Sequence, residues 1–163
     1  MVANLPYFAA THILRRFLES PHPPSRVVVM IQREVARRIV AKPGEMSILS
    51  VGIQMYGQPR IVSYVRASAF YPPPKVTSAI VCIDVYAEPR LKLSDSKDFF
   101  RIVRAGFSTP RKKLRNALSI GLHTSSADAE RWLINAKIDP MRRAETLSLQ
   151  EWGALYQNYL ETK

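Results

Sequence analysis

The feature that most constrains this chain is one change of hydrophobic period along its length. Before about residue 88, short apolar runs rich in β-branched residues alternate with segments whose apolar residues recur at helical spacing. After about residue 95, only the helical spacing remains. Strands that alternate with helices build an α/β sheet, whereas helices alone build bundles. The sequence therefore predicts an α/β domain at 1–90, corresponding to the C-terminal half of a doubly wound sheet, and a small all-helical domain at 91–163.

Local signals place the elements within the two domains. The run VVVMIQ at 27–32 indicates a buried parallel strand. Thr11 is the expected N-cap of the first helix, and Thr109 followed by Pro110 is expected to open a later helix that Gly121 ends. The other predicted elements are strands at 60–70 and 76–86 and helices at 10–20, 33–42, 46–57, 95–107, 125–136 and 148–160, the last opened by a Ser148–Glu151 capping box.

The net charge indicates which kind of molecule this chain binds. Lysine and arginine number 24 against 13 acidic residues, which gives a net charge of +11. Such an excess favours a polyanion, and nucleic acid is a better match than a membrane. The single cysteine, Cys82, and three scattered histidines form neither a disulfide framework nor a metal cluster. We therefore expect no metal, no membrane partner and a cytoplasmic location.

The run Asn4-Leu5-Pro6-Tyr7 is the first candidate site, expected at the carboxyl end of a strand. The exocyclic amine of a nucleobase is a weak nucleophile because its lone pair is delocalised into the ring. Two acceptors, the Asn4 side-chain oxygen and the Leu5 carbonyl, would localise that lone pair. Pro6 restrains Leu5 to extended geometry and brings no competing N–H, and Tyr7 offers a face for an unstacked base. The alternative is a strand that ends at a turn with a buried tyrosine.

A second candidate site follows Phe70. The segment Pro72–Pro74 is stiff, so it could present Phe70 as the opposite face of a base sandwich, with Lys75 near a phosphate. The alternative is a hairpin connection whose phenylalanine lies in the core.

Residues 101–116 carry six basic side chains and no acid. In the predicted helix, Arg111 and Arg115 share one face, and the N-terminus of the helix would add its own attraction for phosphate. A solvated helix face is the alternative, but six unpaired positive charges favour contact with RNA. The candidate RNA contacts within this run are Arg104, Arg111, Lys112, Lys113, Arg115 and Asn116.

Five motifs occur together in a fixed order. They are Asn4–Tyr7 (N-L-P-Y), Gln32–Arg38 (Q-x-E-V-A-x-R), Phe70–Ser78 (F-x-P-P-P-K-V-x-S), Phe107–Asn116 (F-x-x-x-R-K-x-L-R-N) and Ile138–Ser148 (I-D-P-x-x-R-A-E-x-L-S). This set resembles the ribosomal RNA adenine-N6,N6-dimethyltransferases of the KsgA type, which are related to the erythromycin-resistance methylases. The N-L-P-Y run alone is a weak signal, since a similar run serves glutamine and DNA methylases.

The resemblance implies a Rossmann-like methyltransferase sheet and a role for each matching residue. Asn4 and the Leu5 carbonyl would hold the target N6, with Pro6 lying between Leu5 and Tyr7. Asn4 would also lie near the methyl group of S-adenosyl-L-methionine. Tyr7 and Phe70 would sandwich the adenine. The substrate would be two adjacent adenines of small-subunit ribosomal RNA during ribosome maturation.

The family's cofactor-binding elements precede its N-L-P-Y motif, and the six glycines of this chain form no cofactor-cradling loop. We therefore expect an N-terminally shortened form that has most of the donor site missing, binds the donor weakly and is inactive alone. An exposed sheet edge would then favour self-association. A non-catalytic RNA-binding or ribosome-assembly module is the alternative function. A methylase of another amine, such as a protein glutamine, fits the F-x-P-P-P-K-V match and the basic helical domain less well.

Overall fold

A computed structural model describes residues 1–162, and they divide into two compact units. The first unit comprises residues 1–41 and 49–90, and the second comprises residues 42–48 and the residues after Arg90. Residues 42–48 lie in the range predicted for the first domain, yet they belong to the second unit. Their backbone explains this, because the amides of Gly44 and Met46 both donate to the Glu145 carbonyl, at 2.8 and 3.1 Å.

The first unit is built on a four-stranded mixed sheet. In chain order the strands are β1 (Val2–Asn4), β2 (Arg26–Gln32), β3 (Gly57–Val65) and β4 (Ser78–Val85), and their spatial order is β1-β2-β4-β3. Strand β1 runs parallel to β2, whereas β4 runs antiparallel to both β2 and β3. The run predicted as a parallel strand therefore has one parallel and one antiparallel neighbour, because β4 inserts between β2 and β3.

Three helices cover this sheet: α1 (Ala10–Leu18), α2 (Arg33–Ile39) and α3 (Ile48–Gln54). Leu14 and Leu18 of α1 pack in one fully buried cluster with Ile31 of β2. The prediction of Thr11 as the N-cap of α1 is wrong, since Ala9 occupies that position without a side-chain cap. The helix starts earlier because the Ala9 amide donates to the Pro6 carbonyl at 3.0 Å, which turns the chain immediately after Tyr7.

The second unit contains four α-helices and a short 3-10 helix, Ala144–Thr146, among the described residues. The α-helices are α4 (Ser96–Phe107), α5 (Leu114–Leu122), α6 (Ser126–Asn135) and α7 (Leu149–Leu160). The Ser148–Glu151 capping box at the start of α7 is confirmed, and the Arg142 guanidinium lowers the pKa of Glu151 by hydrogen bonding to it. Trp152 is fully buried in the core of this unit. No helix of the described residues is both long enough and apolar enough to span a bilayer.

The predicted limits of α5 are wrong at both ends. The helix begins at Leu114, after a turn in which the Lys112 amide donates to the Thr109 carbonyl at 2.9 Å. Leu114 is fully buried, and its amide donates to the Arg142 carbonyl at 2.7 Å, which fixes the start of the helix there. At the other end, Gly121 lies within α5, and the left-handed residue that follows the helix is His123, with φ of 53°.

Gly121 instead allows a close approach between α4 and α5. A Cβ at this position would lie 2.6 Å from the Cα of Ala105 and 2.7 Å from its Cβ. Because the Ala105 backbone cannot swing away as a long side chain can, a side chain at residue 121 would push the two helices apart.

Gly121→Ala is expected to lower the free energy of unfolding of the helical unit by about 1–3 kcal/mol, the usual cost of overpacking a core. This cost exceeds the gain of roughly 0.5–1 kcal/mol from removing a helical glycine. Chemical denaturation of the chain measures it, with Ile120→Ala, which is exposed on the same helix, as the control. A Gly121→Ala variant as stable as the parent would contradict the close approach.

Candidate functional site

A cleft of about 320 Å³ opens in the first unit where β1 ends. One wall comes from the residues that connect β1 to α1, and the other comes from the connection between β3 and β4. The lining residues are Asn4, Leu5, Pro6, Tyr7, Phe70, Tyr71, Pro72 and Pro74. The structure thus brings together all five residues that the sequence analysis proposed as catalytic.

The backbone of the first wall is fixed at several points. Leu5 buries its side chain, which is 6 % exposed, and its amide donates to the Met30 carbonyl at 3.4 Å. The Pro6 carbonyl accepts the Ala9 amide. Among residues 1–162, nothing donates a hydrogen bond to the Asn4 side-chain oxygen or to the Leu5 carbonyl. Two residues that line the cleft, Asn4 and Leu5, therefore each carry an acceptor that no described group occupies.

Tyr7 is held in place by β4. Its hydroxyl lies 2.5 Å from the Ser78 hydroxyl, and Ser78 is fully buried as the first residue of that strand. This bond fixes the direction of a half-buried ring that lines the cleft. Ser78 ends the F-x-P-P-P-K-V-x-S motif, but no local pattern predicts its role, because the bond joins residues 71 positions apart.

Phe70 forms part of the second wall and is half-buried. It follows a short 3-10 turn at Ala67–Ala69, and its amide donates to the Ala67 carbonyl at 3.2 Å. The next residue, Tyr71, is fully exposed, lines the same cleft and precedes a cis bond to Pro72. The sequence analysis missed Tyr71, although it directly follows Phe70 and offers a second aromatic ring on that side.

The basic residues of the second unit are arranged differently from the prediction. Arg111 lies in the turn before α5, so it cannot share a helical face with Arg115. Arg115 is half-buried and forms an ion pair with Glu130 at 3.0 Å, and its Nε lies 3.4 Å from the Asn116 side-chain oxygen. Arg101 is not a free charge either, since it contacts Asp98 and Tyr159. The candidates that remain exposed and without an ion pair to another described residue are Arg104, Arg111, Lys112 and Lys113.

The first-turn amides of α5 are also committed. The Leu114 amide donates to the Arg142 carbonyl at 2.7 Å and the Arg115 amide donates to the Pro140 carbonyl at 3.4 Å. The next two amides both donate to the Lys113 carbonyl. The expected attraction of this helix N-terminus for phosphate is therefore wrong, because backbone carbonyls already occupy its donors.

Lys75 is exposed and adjoins Pro74 at the rim of the cleft. Nothing in residues 1–162 forms an ion pair with it. In the same residues, no group of three or more histidine, cysteine, aspartate or glutamate side chains is arranged to hold a metal ion.

Comparison with known proteins places the chain in a family. Residues 1–159 match the family model described as "Ribosomal RNA adenine dimethylase". The chain belongs to the ribosomal RNA adenine dimethylase family. It is 49 % identical over 159 residues to "Ribosomal RNA small subunit methyltransferase A" of Dehalococcoides mccartyi, an alignment that covers 98 % of this chain and 55 % of that protein. The protein of the same name from Syntrophotalea carbinolica is 46 % identical, over 96 % of this chain and 60 % of the relative.

The chain thus spans little more than half the length of these ribosomal RNA adenine dimethylase relatives. Two solved structures share its fold. A dimethyladenosine transferase from Plasmodium falciparum matches with a TM-score of 0.79 at 22 % identity. The match covers 98 % of this chain and 66 % of the transferase chain. The 23S rRNA methyltransferase ErmE has a TM-score of 0.70 at 24 % identity and covers 96 % of this chain and 63 % of its own. The predicted Rossmann-like methyltransferase fold and the predicted family are both confirmed.

Proposed function

We propose that this chain serves in the N6,N6-dimethylation of adenine in ribosomal RNA, with S-adenosyl-L-methionine as the methyl donor. The observation that carries the proposal is the cleft, which Asn4, Leu5, Tyr7 and Phe70 line together. Membership of the ribosomal RNA adenine dimethylase family supports the same chemistry.

The cleft residues have separate tasks in this proposal. The Asn4 oxygen and the Leu5 carbonyl would accept the two N–H groups of the adenine amine, which would draw the nitrogen towards tetrahedral geometry and localise its lone pair. Bound S-adenosyl-L-methionine would supply the methyl group: the N–C bond would form as the S–CH3 bond breaks, S-adenosyl-L-homocysteine would leave, and the amine would lose one proton to water. Pro6 keeps Leu5 extended so that its carbonyl stays in position. Tyr7 and Phe70 stack on the two faces of a base that has left its strand, and Asn4 also lies near the donor methyl.

The exposed cations would supply the contacts that position the RNA. Lys75 lies beside the cleft, and Arg104, Arg111, Lys112 and Lys113 are the free candidates of the second unit, with Arg115 and Asn116 as weaker contributors because they bond within the unit. Such contacts set register without reading sequence. The names of the relatives support small-subunit ribosomal RNA as the substrate. Two adjacent adenines as the target and a cytoplasmic location are parts of the proposal that rest on the resemblance of the motifs.

Binding of a single-stranded oligoribonucleotide tests the cleft directly. The chain is expected to prefer a strand with two adjacent adenines over the same strand with uridines at those positions. Phe70→Ala should weaken binding to the adenine strand by about tenfold or more, since a stacking ring contributes roughly 1–3 kcal/mol per base. Asn4→Ala should reduce the preference for adenine. Fluorescence anisotropy measures both effects, with Phe17→Ala as a control outside the cleft.

The same experiment distinguishes the alternative function. A non-catalytic RNA-binding module would bind both strands equally, lose affinity in Lys112→Gln and Lys113→Gln, and tolerate Phe70→Ala and Asn4→Ala. That pattern would overturn the proposed adenine chemistry and leave RNA binding in place.

We extend the proposal to the donor. None of the six glycines lines the cleft, and Asn4 is the residue assigned to the methyl group, so donor binding by these 163 residues is expected to be weak. Tritium transfer from labelled S-adenosyl-L-methionine to small ribosomal subunits lacking the modification should stay close to a protein-free control. Clear incorporation would contradict this extension. If incorporation is seen, Asn4→Ala should reduce it by roughly 100-fold, as loss of one preorganised polar group at a transition state typically does.

The outer edge of β1 supports a proposal of self-association. This strand pairs with β2 on one side, and Val2 and Phe8 beside it are 84 % and 94 % exposed. Sedimentation velocity is expected to show a dimer fraction that grows with protein concentration and falls in Val2→Lys, because a charge on an edge strand opposes pairing. A single monomer boundary at every concentration would contradict it.

A further inference from the structure

Three basic residues lie close in the sheet or in the chain to Ser78, the residue that anchors Tyr7. In the sheet, Ser78 is the register partner of Gln32 on one side and of Val65 on the other. Each partner is followed by an arginine: Arg33 after Gln32 and Arg66 after Val65. Lys75 precedes Ser78 by three positions. The sheet topology therefore brings basic residues from two separate segments, the start of α2 and the connection between β3 and β4, to the edge where the cleft opens.

These charges are held close to the cleft by their own backbones. The Arg33 amide donates to the Thr77 carbonyl at 3.0 Å, one residue before Ser78. The Arg66 carbonyl accepts the Ala69 amide at 3.1 Å, in the 3-10 turn that ends at Phe70. Strands β2 and β3 flank β4, so Arg33 and Arg66 lie on its two sides. Two strand spacings place their Cα atoms about 10 Å apart.

The two ends of the sheet differ in how their arginines are neutralised. At the end away from the cleft, Asp84 pairs with Arg26 at 2.5 Å and lies 3.8 Å from Arg60. At the cleft end, Arg33 and Arg66 are exposed and form no ion pair within residues 1–162. The acid nearest in sequence is Glu34, which is exposed on α2 beside Arg33. Arg33 and Arg66 thus lack an ion-pair partner among residues 1–162 at the end where the cleft lies.

We propose that Arg33, Arg66 and Lys75 form a phosphate-binding rim that holds the sugar-phosphate backbone of the RNA strand on either side of the nucleotide in the cleft. The inference rests on the proposed function and adds Arg33 and Arg66 to it as positioning residues. Guanidinium groups suit this task because their planar forks can bond two phosphate oxygens at once. Holding the strand on both sides directs one nucleotide into the cleft, and the rim contributes no sequence preference of its own.

The salt dependence of RNA binding tests the rim. Affinity for the single-stranded adenine oligoribonucleotide is measured for the full chain between about 50 and 200 mM salt. Arg33→Gln and Arg66→Gln should each make the plot of log affinity against log salt shallower by about 0.7, the value for one phosphate contact on a single strand. The double variant should lose about 1.4 by addition of the two effects. Arg60→Gln, which removes the same charge from the other end of β3, should leave the slope unchanged.

Two results would overturn the rim. One is a double variant with the parental slope, and the other is an Arg60→Gln variant with the same loss as Arg66→Gln. Either can occur while the preference for adenine over uridine persists, in which case only the rim fails. Loss of that preference in the parent chain would instead contradict the proposed function. Circular dichroism melts of the variants check that each is folded.

Discussion

The hydrogen bond between the Tyr7 and Ser78 hydroxyls is the interaction on which the cleft depends. Tyr7 belongs to the connection after the edge strand β1, and Ser78 begins β4 near the middle of the sheet. Ser78 is fully buried, so its hydroxyl has few other partners within reach and holds the tyrosine firmly. With Tyr7 fixed, Asn4 and Leu5 line the same cleft that Phe70 lines from the other side.

Antiparallel insertion of β4 explains why so many functional groups meet at one edge. A strand that runs against both neighbours places its start beside their ends. The start of β4 is therefore level with the ends of β2 and β3, and the segments that follow those ends carry Arg33, Arg66 and Phe70. The same arrangement leaves the acid Asp84 at the opposite end, where it neutralises Arg26. The direction of β4 therefore leaves Arg26 ion-paired at one end of the sheet, and Arg33 and Arg66 without an ion pair to any of residues 1–162 at the other end.

The sequence predicted the parts of the site that depend on local chemistry. Asn4, Leu5, Pro6 and Tyr7 are adjacent in the chain, and Phe70 precedes a stiff proline run, so local chemistry made them candidates. The ordered set of five motifs, through its resemblance to a known family, then assigned their roles. The Tyr7–Ser78 bond and the arginines around Ser78 depend on register between distant strands, which no local pattern reveals. The sequence likewise predicted the helices of the second unit, and it misplaced the start of α5 because the contact of Leu114 with Arg142 overrides the Thr-Pro signal. The ion pair between Arg115 and Glu130 could not be predicted from the sequence either, because it joins residues of two different helices.

The central claim is that an adenine enters this cleft with its amine towards Asn4 and its faces towards Tyr7 and Phe70. Nuclear magnetic resonance of the isotope-labelled chain with adenosine monophosphate tests it most directly. Nuclear Overhauser effects are expected from the adenine protons to both rings, together with a shift of the Asn4 side-chain amide. Effects confined to the helical unit, with Asn4, Tyr7 and Phe70 unchanged, would contradict it.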